Sequence, residues 1–117
     1  MDEQEFKGRT KQLALRIIRL VEALPTTKAA GVIAGQLLRS AMSVGSNYRA
    51  ACRGRSTADV VGKLSIVEEE ADESLYWLEL LVESGIMPQE KLKDLMKEVG
   101  EILAMTVASI KTLKAKQ

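Results

Sequence analysis

The sequence predicts an all-α protein, an up-down-up-down antiparallel four-helix bundle with short loops that forms a single domain over residues 1–117. Aromatic residues make up only 3% of the chain and hydrophobic residues 46%, so its core must be built from aliphatic side chains and alanine. Apolar residues recur at spacings of three and four, which is typical of amphipathic helices. Proline and glycine divide the pattern into four segments with short connections, and the length fits one domain.

Helix 1 is predicted over residues 4–24. Its apolar stripe consists of Phe6, Leu13, Ile17, Leu20 and Leu24. Most basic residues of the segment lie off this stripe. Pro25 cannot continue the hydrogen-bond ladder, so the helix ends before it, and Thr26 or Thr27 can cap the next helix.

Helix 2 is predicted over residues 28–53, with Leu37, Ala41 and Val44 at the centre of its apolar stripe. It contains three glycines, each of which costs ~1 kcal/mol of helix propensity relative to alanine: Gly31, Gly35 and Gly45. Close packing of a neighbouring helix would offset this cost, or the first two glycines mark a late helix start. Gly54 is expected to end the helix in the left-handed conformation.

Helices 3 and 4 are predicted over residues 56–84 and 88–114. Ser56 is the expected N-cap of helix 3, with Asp59 reaching back in a capping box. The core stripe of helix 3 is predicted as Val60, Leu64, Val67, Ala71, Leu75, Leu78 and Val82. Three large apolar residues lie off that stripe and are predicted to form oligomer contacts: Ile66, Trp77 and Leu81. Gly85 should end helix 3.

Catalytic chemistry has little support in the composition. The chain has no histidine, the commonest general base and metal ligand, and Cys52, its single cysteine, cannot form an intramolecular disulfide. The sequence therefore predicts a non-enzymatic protein without a cofactor. One dense acidic cluster keeps a metal-binding or enzymatic bundle open as the alternative to a solvated or interface face: Glu68, Glu69, Glu70, Asp72 and Glu73.

The two halves of the chain carry opposite charge. Residues 1–55 contain ten Lys or Arg against four Asp or Glu, a net +6, and residues 56–117 contain seven against twelve, a net −5. A head-to-tail contact would place the positive side of one subunit against the negative side of the next, and such a contact can close into a ring. The N-terminus lacks a basic start followed by an apolar run, which favours a cytoplasmic protein and no membrane association.

Basic residues along helix 2 and the turn after it form a candidate nucleic-acid-binding strip on the basic side of helices 1 and 2: Arg39, Arg49, Arg53, Arg55 and Lys63. Two interpretations stay open. The strip can contact the phosphates of RNA or DNA weakly and with little sequence preference, or its arginines can pair with the acidic helix 3.

Polar residues beside the helix 2 stripe need hydrogen-bond partners if they are buried. Ser40, Ser43 and Asn47 are expected to bond across to helix 3. The expected acceptors are Glu69, Asp72 and Glu73.

These residues also resemble a known family. The segments Arg39-Ser40-Ala41, Asn47-Tyr48-Arg49, Arg55-Ser56 and Glu69–Ser74, together with Leu24-Pro25, are similar to four-helix-bundle proteins encoded in intervening sequences of bacterial 23S ribosomal RNA. The resemblance implies a homo-oligomer, typically a pentameric ring. The accessory protein of diversity-generating retroelements is a more distant resemblance and implies nucleic-acid and reverse-transcriptase partners.

Overall fold

The computed structural model describes residues 2–116, which form four helices and no strand. The helices are α1 (Glu3–Glu22), α2 (Lys28–Cys52), α3 (Thr57–Glu83) and α4 (Gln89–Ala115). Every predicted helix boundary lies within two residues of the observed one, and the all-α four-helix fold is confirmed. Residues 1 and 117, the ends of the predicted domain, lie outside the described part of the chain.

The bundle is 47 Å long and about 20 Å across in both other directions. Helices that follow each other in sequence pack together, as short loops require, and the α2–α3 contact is the most extensive. The contact between α1 and α4, which closes the bundle, is much the smallest. None of the four helices, over the residues described, is both long and apolar enough to cross a membrane.

The main core is aliphatic and draws on all four helices. Its fully buried large side chains include Leu13, Ile17, Leu37, Val44, Val67, Leu78, Leu81, Leu92, Val99 and Ile102. A smaller cluster of Ala51, Leu64 and Ile110 joins only α2, α3 and α4. Phe6 at the start of α1 stacks on Tyr48 of α2, with ring centroids 4.4 Å apart.

The predicted stripe of α3 is wrong in its second half. Ser74 and Leu81 are fully buried, whereas Leu75 and Val82 are only partly buried. The row that contains Leu75 and Val82 and the row that contains Ser74 and Leu81 both have helical spacing. The sequence favoured the first row because leucine is apolar and serine is polar. The prediction that Leu81 lies outside the core is therefore corrected.

Local capping follows the sequence with one exception. Thr27 and Ser56 accept hydrogen bonds from the backbone N–H groups of Ala30 and Asp59, as expected for N-caps. Among the described residues only Gly85 has a positive φ, 81°, so the prediction of a left-handed Gly54 is wrong. Gly54 is instead constrained by packing, since a β-carbon there would collide with Val60.

The three glycines of α2 differ in their surroundings. A β-carbon on Gly45 would lie 3.3 Å from Oγ1 of Thr10, so this glycine allows α1 to approach α2 closely. Gly31 and Gly35 are exposed, with no atom near the position of a β-carbon, and α2 already begins at Lys28. Nothing in the structure explains these two glycines.

Candidate nucleic-acid interface

Arg39 is neutralised by α3. Its guanidinium pairs with Glu70, at 2.8 Å, and with Glu73. Glu73 also accepts a hydrogen bond from the indole Nε1 of Trp77, at 3.3 Å. Of the two interpretations of the basic strip, ion pairing with helix 3 is therefore the one that holds for Arg39.

Arg49 and Arg53 lie on the other side of α2, facing α1. There they line a groove of about 650 Å³ together with two lysines of α1, Lys7 and Lys11. We call this the α1–α2 groove. The basic strip read from the sequence did not include the two lysines. Their signal was present, because residues 7 and 11 are one helical turn apart on the polar face of α1.

Most of the other residues that line the groove are small, so side chains fill little of the space between its basic walls. Its other lining residues are Gln4, Gly8, Thr10, Ala14, Met42, Gly45 and Ser46. Apart from the residues next to Gly8 and the nearby backbone of α1, no atom lies within 4 Å of where a β-carbon on Gly8 would be. A ligand backbone can therefore descend between the two helices.

The groove has no acidic side chain in its lining. Lys7 pairs with Glu3, one turn away on α1, at 3.4 Å, and this pair is solvent-exposed. Among residues 2–116, no carboxylate lies within ion-pair distance of Lys11, Arg49 or Arg53. Four cations converging on an acid-free groove produce a positive potential that attracts anions.

The remaining two residues of the predicted strip lie elsewhere. Arg55 is exposed in the turn between α2 and α3, and its backbone N–H donates to Asp59 at 3.1 Å. Lys63 is partly buried on α3. Neither lines the α1–α2 groove, so the five residues of the predicted strip do not form one surface.

The polar contact between α2 and α3 uses fewer partners than predicted. Ser40 Oγ hydrogen-bonds across to Ser74 Oγ at 2.9 Å, and both side chains are buried. Asn47 stays within its own helix and donates to the backbone carbonyl of Ser43 at 2.9 Å. Glu69 and Asp72 are exposed, so carboxylates are not the acceptors for this polar row. A small hydroxyl fits here because the two helices pack closely, and a carboxylate would need more room and more partners.

The three residues that were predicted to form oligomer contacts differ in their exposure. Ile66 is exposed, at 38%, and Trp77 is partly buried beside Tyr76, with ring centroids 5.2 Å apart. Leu81 is fully buried inside the subunit. Of the three residues predicted to form oligomer contacts, Ile66 and Trp77 keep accessible apolar surface and Leu81 does not.

A second concavity lies where α2, α3 and α4 extend around the start of α1. It measures about 600 Å³, and its lining includes Phe6, Tyr48, Cys52 and Leu64. Burial, followed by the neighbouring Glu3 carboxyl, raises the pKa of the Cys52 thiol. Burial likewise raises the pKa of Tyr48. Both groups are therefore held in their neutral forms at neutral pH.

A metal centre has no support in the described residues. Within residues 2–116, no three His, Cys, Asp or Glu side chains are grouped so as to hold a metal ion. Two members of the acidic cluster, Glu70 and Glu73, are paired with Arg39 instead.

The fold and the groove define a small all-α bundle protein with a basic inter-helix groove. The chain belongs to the 23S rRNA-intervening sequence protein family, whose sequence profile matches residues 3–108. It is also similar to a protein of unknown function from the S23 ribosomal protein family of Bacteroides thetaiotaomicron, whose crystal structure is solved at 1.70 Å. The two chains are 33% identical with a TM-score of 0.87, over 95% of this chain and 99% of the other. No curated protein matches this chain.

Proposed function

We propose that this protein is a non-enzymatic, self-associating four-helix scaffold that binds RNA or DNA weakly through the α1–α2 groove. One observation carries the proposal: four cations line a groove in which residues 2–116 place no Asp or Glu side chain. Contacts between such cations and phosphates give affinity without sequence information, so binding should be salt-sensitive and weakly selective.

The groove is tested by reversing its charge. Arg49→Glu combined with Arg53→Glu should abolish binding of a labelled oligonucleotide, measured by fluorescence anisotropy at low salt. The matched control is Arg16→Glu combined with Arg19→Glu, which changes the net charge by the same amount in the basic concavity between α1 and α4. Equal loss of binding in both double variants would mean that overall charge, and not this groove, attracts the nucleic acid.

Self-association rests on separate observations. Ile66 and Trp77 leave apolar surface on α3, near the exposed carboxylates of Glu69 and Asp72. The exposed cations on the α1 and α2 side that lie outside the groove, Arg19 and Lys28, are complementary to this acidic side. We therefore propose a head-to-tail contact between copies that closes into a ring, and the resemblance to the family suggests five subunits.

The oligomeric state is measured by light scattering coupled to chromatography at an ionic strength of about 0.15 M. A closed ring is expected, and Ile66→Asp should dissociate it by placing a charge in an apolar contact. A wild-type monomer or simple dimer at micromolar concentration would rule out the ring. If the Arg49→Glu and Arg53→Glu variant dissociates while wild-type protein binds no RNA, the groove is occupied by a second copy.

A further inference from the structure

The α1–α2 groove lies between two directly packed helices, and cations from both helices line it. We infer that the protein selects single-stranded RNA or DNA and holds its phosphodiester backbone between α1 and α2. This inference rests on the proposed function and specifies the class of nucleic acid that the groove binds. It depends on the spacing of the cations and on the small residues in the floor of the groove.

The cations form a ladder along the groove. Thr10 of α1 lies beside Gly45 of α2, which fixes the register of the two antiparallel helices. At 1.5 Å per residue, Arg53 lies ~12 Å from this level, Arg49 lies ~6 Å from it, and Lys7 lies ~4.5 Å from it. On the same count Lys11 lies ~1.5 Å beyond it in the opposite direction. Positive charge therefore occurs at three levels ~6 Å apart, with Lys7 and Arg49 at nearly the same level. This spacing is longer than the ~3.4 Å per phosphate along one strand of a duplex, and it suits a more extended single strand.

The floor of the groove decides between one strand and two. The axes of packed neighbouring helices are about 8–10 Å apart. A duplex is much wider than this and would rest on the outer ridges of α1 and α2 without entering. A single strand can descend to the open space above Gly8 and meet cations from both walls. Small floor residues matter only to a ligand that enters the groove.

The bases of the bound strand are expected to point away from the protein. No Phe, Tyr or Trp lines the groove, so it offers no ring on which a base can stack. Its polar lining also presents no carboxylate to accept from a base. Binding should therefore show little preference among base sequences and should depend almost entirely on phosphate contacts.

The experiment compares one labelled oligonucleotide as a single strand and as a blunt duplex, by fluorescence anisotropy between about 50 and 200 mM salt. Single-strand affinity should exceed duplex affinity by about tenfold or more. Each phosphate contact with a single strand contributes about −0.7 to the slope of log affinity against log salt, so four contacts predict a slope of about −3. Combining Arg49→Gln with Arg53→Gln should reduce that slope to about −1.4.

The decisive variant fills the floor and keeps every charge. Gly8→Leu has room in the free protein and improves helix propensity, so the variant should fold. It should weaken single-strand binding about tenfold while leaving duplex binding unchanged. Gly35→Leu, at an exposed position of α2 outside the groove, is the matched control and should change neither.

The outcomes separate this inference from the proposed function. If single strand and duplex bind equally and Gly8→Leu changes neither, while Arg49→Gln and Arg53→Gln weaken both, the groove binds nucleic acid but does not select single strands. That result overturns the inference and leaves the proposed function in place. If neither form binds, or if binding ignores Arg49 and Arg53, both are overturned.

Discussion

The two sides of α2 both carry arginines, but the arginines have different neighbours. Towards α3, Arg39 meets Glu70 and Glu73, and the buried Ser40–Ser74 hydrogen bond joins the helices. Towards α1, Arg49 and Arg53 face lysines across a groove without a carboxylate. The first side is a closed structural contact and the second is open to a ligand. An arginine on a helix acquires its role from the charge of the neighbouring helix, not from its own sequence segment.

The largest effects should come from the closed side. Leu78→Ala and Leu81→Ala each remove a fully buried side chain and should reduce the free energy of unfolding by ~2–5 kcal/mol. Leu75→Ala, at a partly buried position, should cost clearly less. Urea unfolding of the three variants measures this. Equal losses at Leu75 and Leu81 would mean that α3 does not turn the 74–81 row inward.

The open side depends on a close approach of backbones. Gly45→Leu would push against Thr10 and should destabilise the protein by ~1–3 kcal/mol, because overpacking outweighs the gain in helix propensity. Gly35→Leu, on the same helix but facing open space, should stabilise it by ~0.5–1 kcal/mol. Thermal and urea unfolding of this pair provide the measurement. If both substitutions stabilise the protein, α1 can move away from α2 without cost.

The ion pair between Arg9 and Glu98 is better shielded from solvent than the pairs of Arg39. Arg9 of α1 donates to Glu98 of α4 through Nε at 2.9 Å and through Nη2 at 2.6 Å, and its side chain is 25% exposed, against 49% for Arg39. These hydrogen bonds lower the pKa of Glu98. At neutral pH, Glu98→Gln should therefore cost about 1 kcal/mol.

The pH dependence of this pair follows from the sign of the shift. A carboxyl group whose pKa is lowered by folding contributes stability above its unfolded pKa of about 4.3 and loses that contribution as the pH falls through its folded value. The difference in unfolding free energy between wild type and Glu98→Gln should therefore shrink below about pH 4. A difference that stays constant down to acidic pH would show that the carboxylate charge is not what Arg9 recognises.

The sequence predicted the helices well because proline, glycine and capping residues mark their ends locally. The details of the site depend on which faces meet. Ser74 was missed as a core residue because serine reads as polar until Ser40 is placed opposite it. Lys7 and Lys11 were separated from Arg49 and Arg53 by some forty residues of chain, and only the antiparallel packing of α1 on α2 brings them together. Whether Arg39 meets a carboxylate depends on how α3 is rotated about its own axis. Periodicity alone left that rotation ambiguous in the second half of α3.

The smallest effect should come from Arg39, and it tests the comparison most directly. Because the side chain of Arg39 is about half exposed, Arg39→Gln should change the free energy of unfolding by only ~0–1 kcal/mol. It should also leave RNA binding unchanged, whereas Arg49→Gln, with the same loss of charge, should weaken it. Unfolding and anisotropy measurements on the two variants provide the test. If Arg39→Gln weakens RNA binding as much as Arg49→Gln does, the carboxylates of α3 do not prevent Arg39 from contacting nucleic acid. Phosphates would then compete successfully with Glu70 and Glu73, and the two sides of α2 would act as one continuous basic surface.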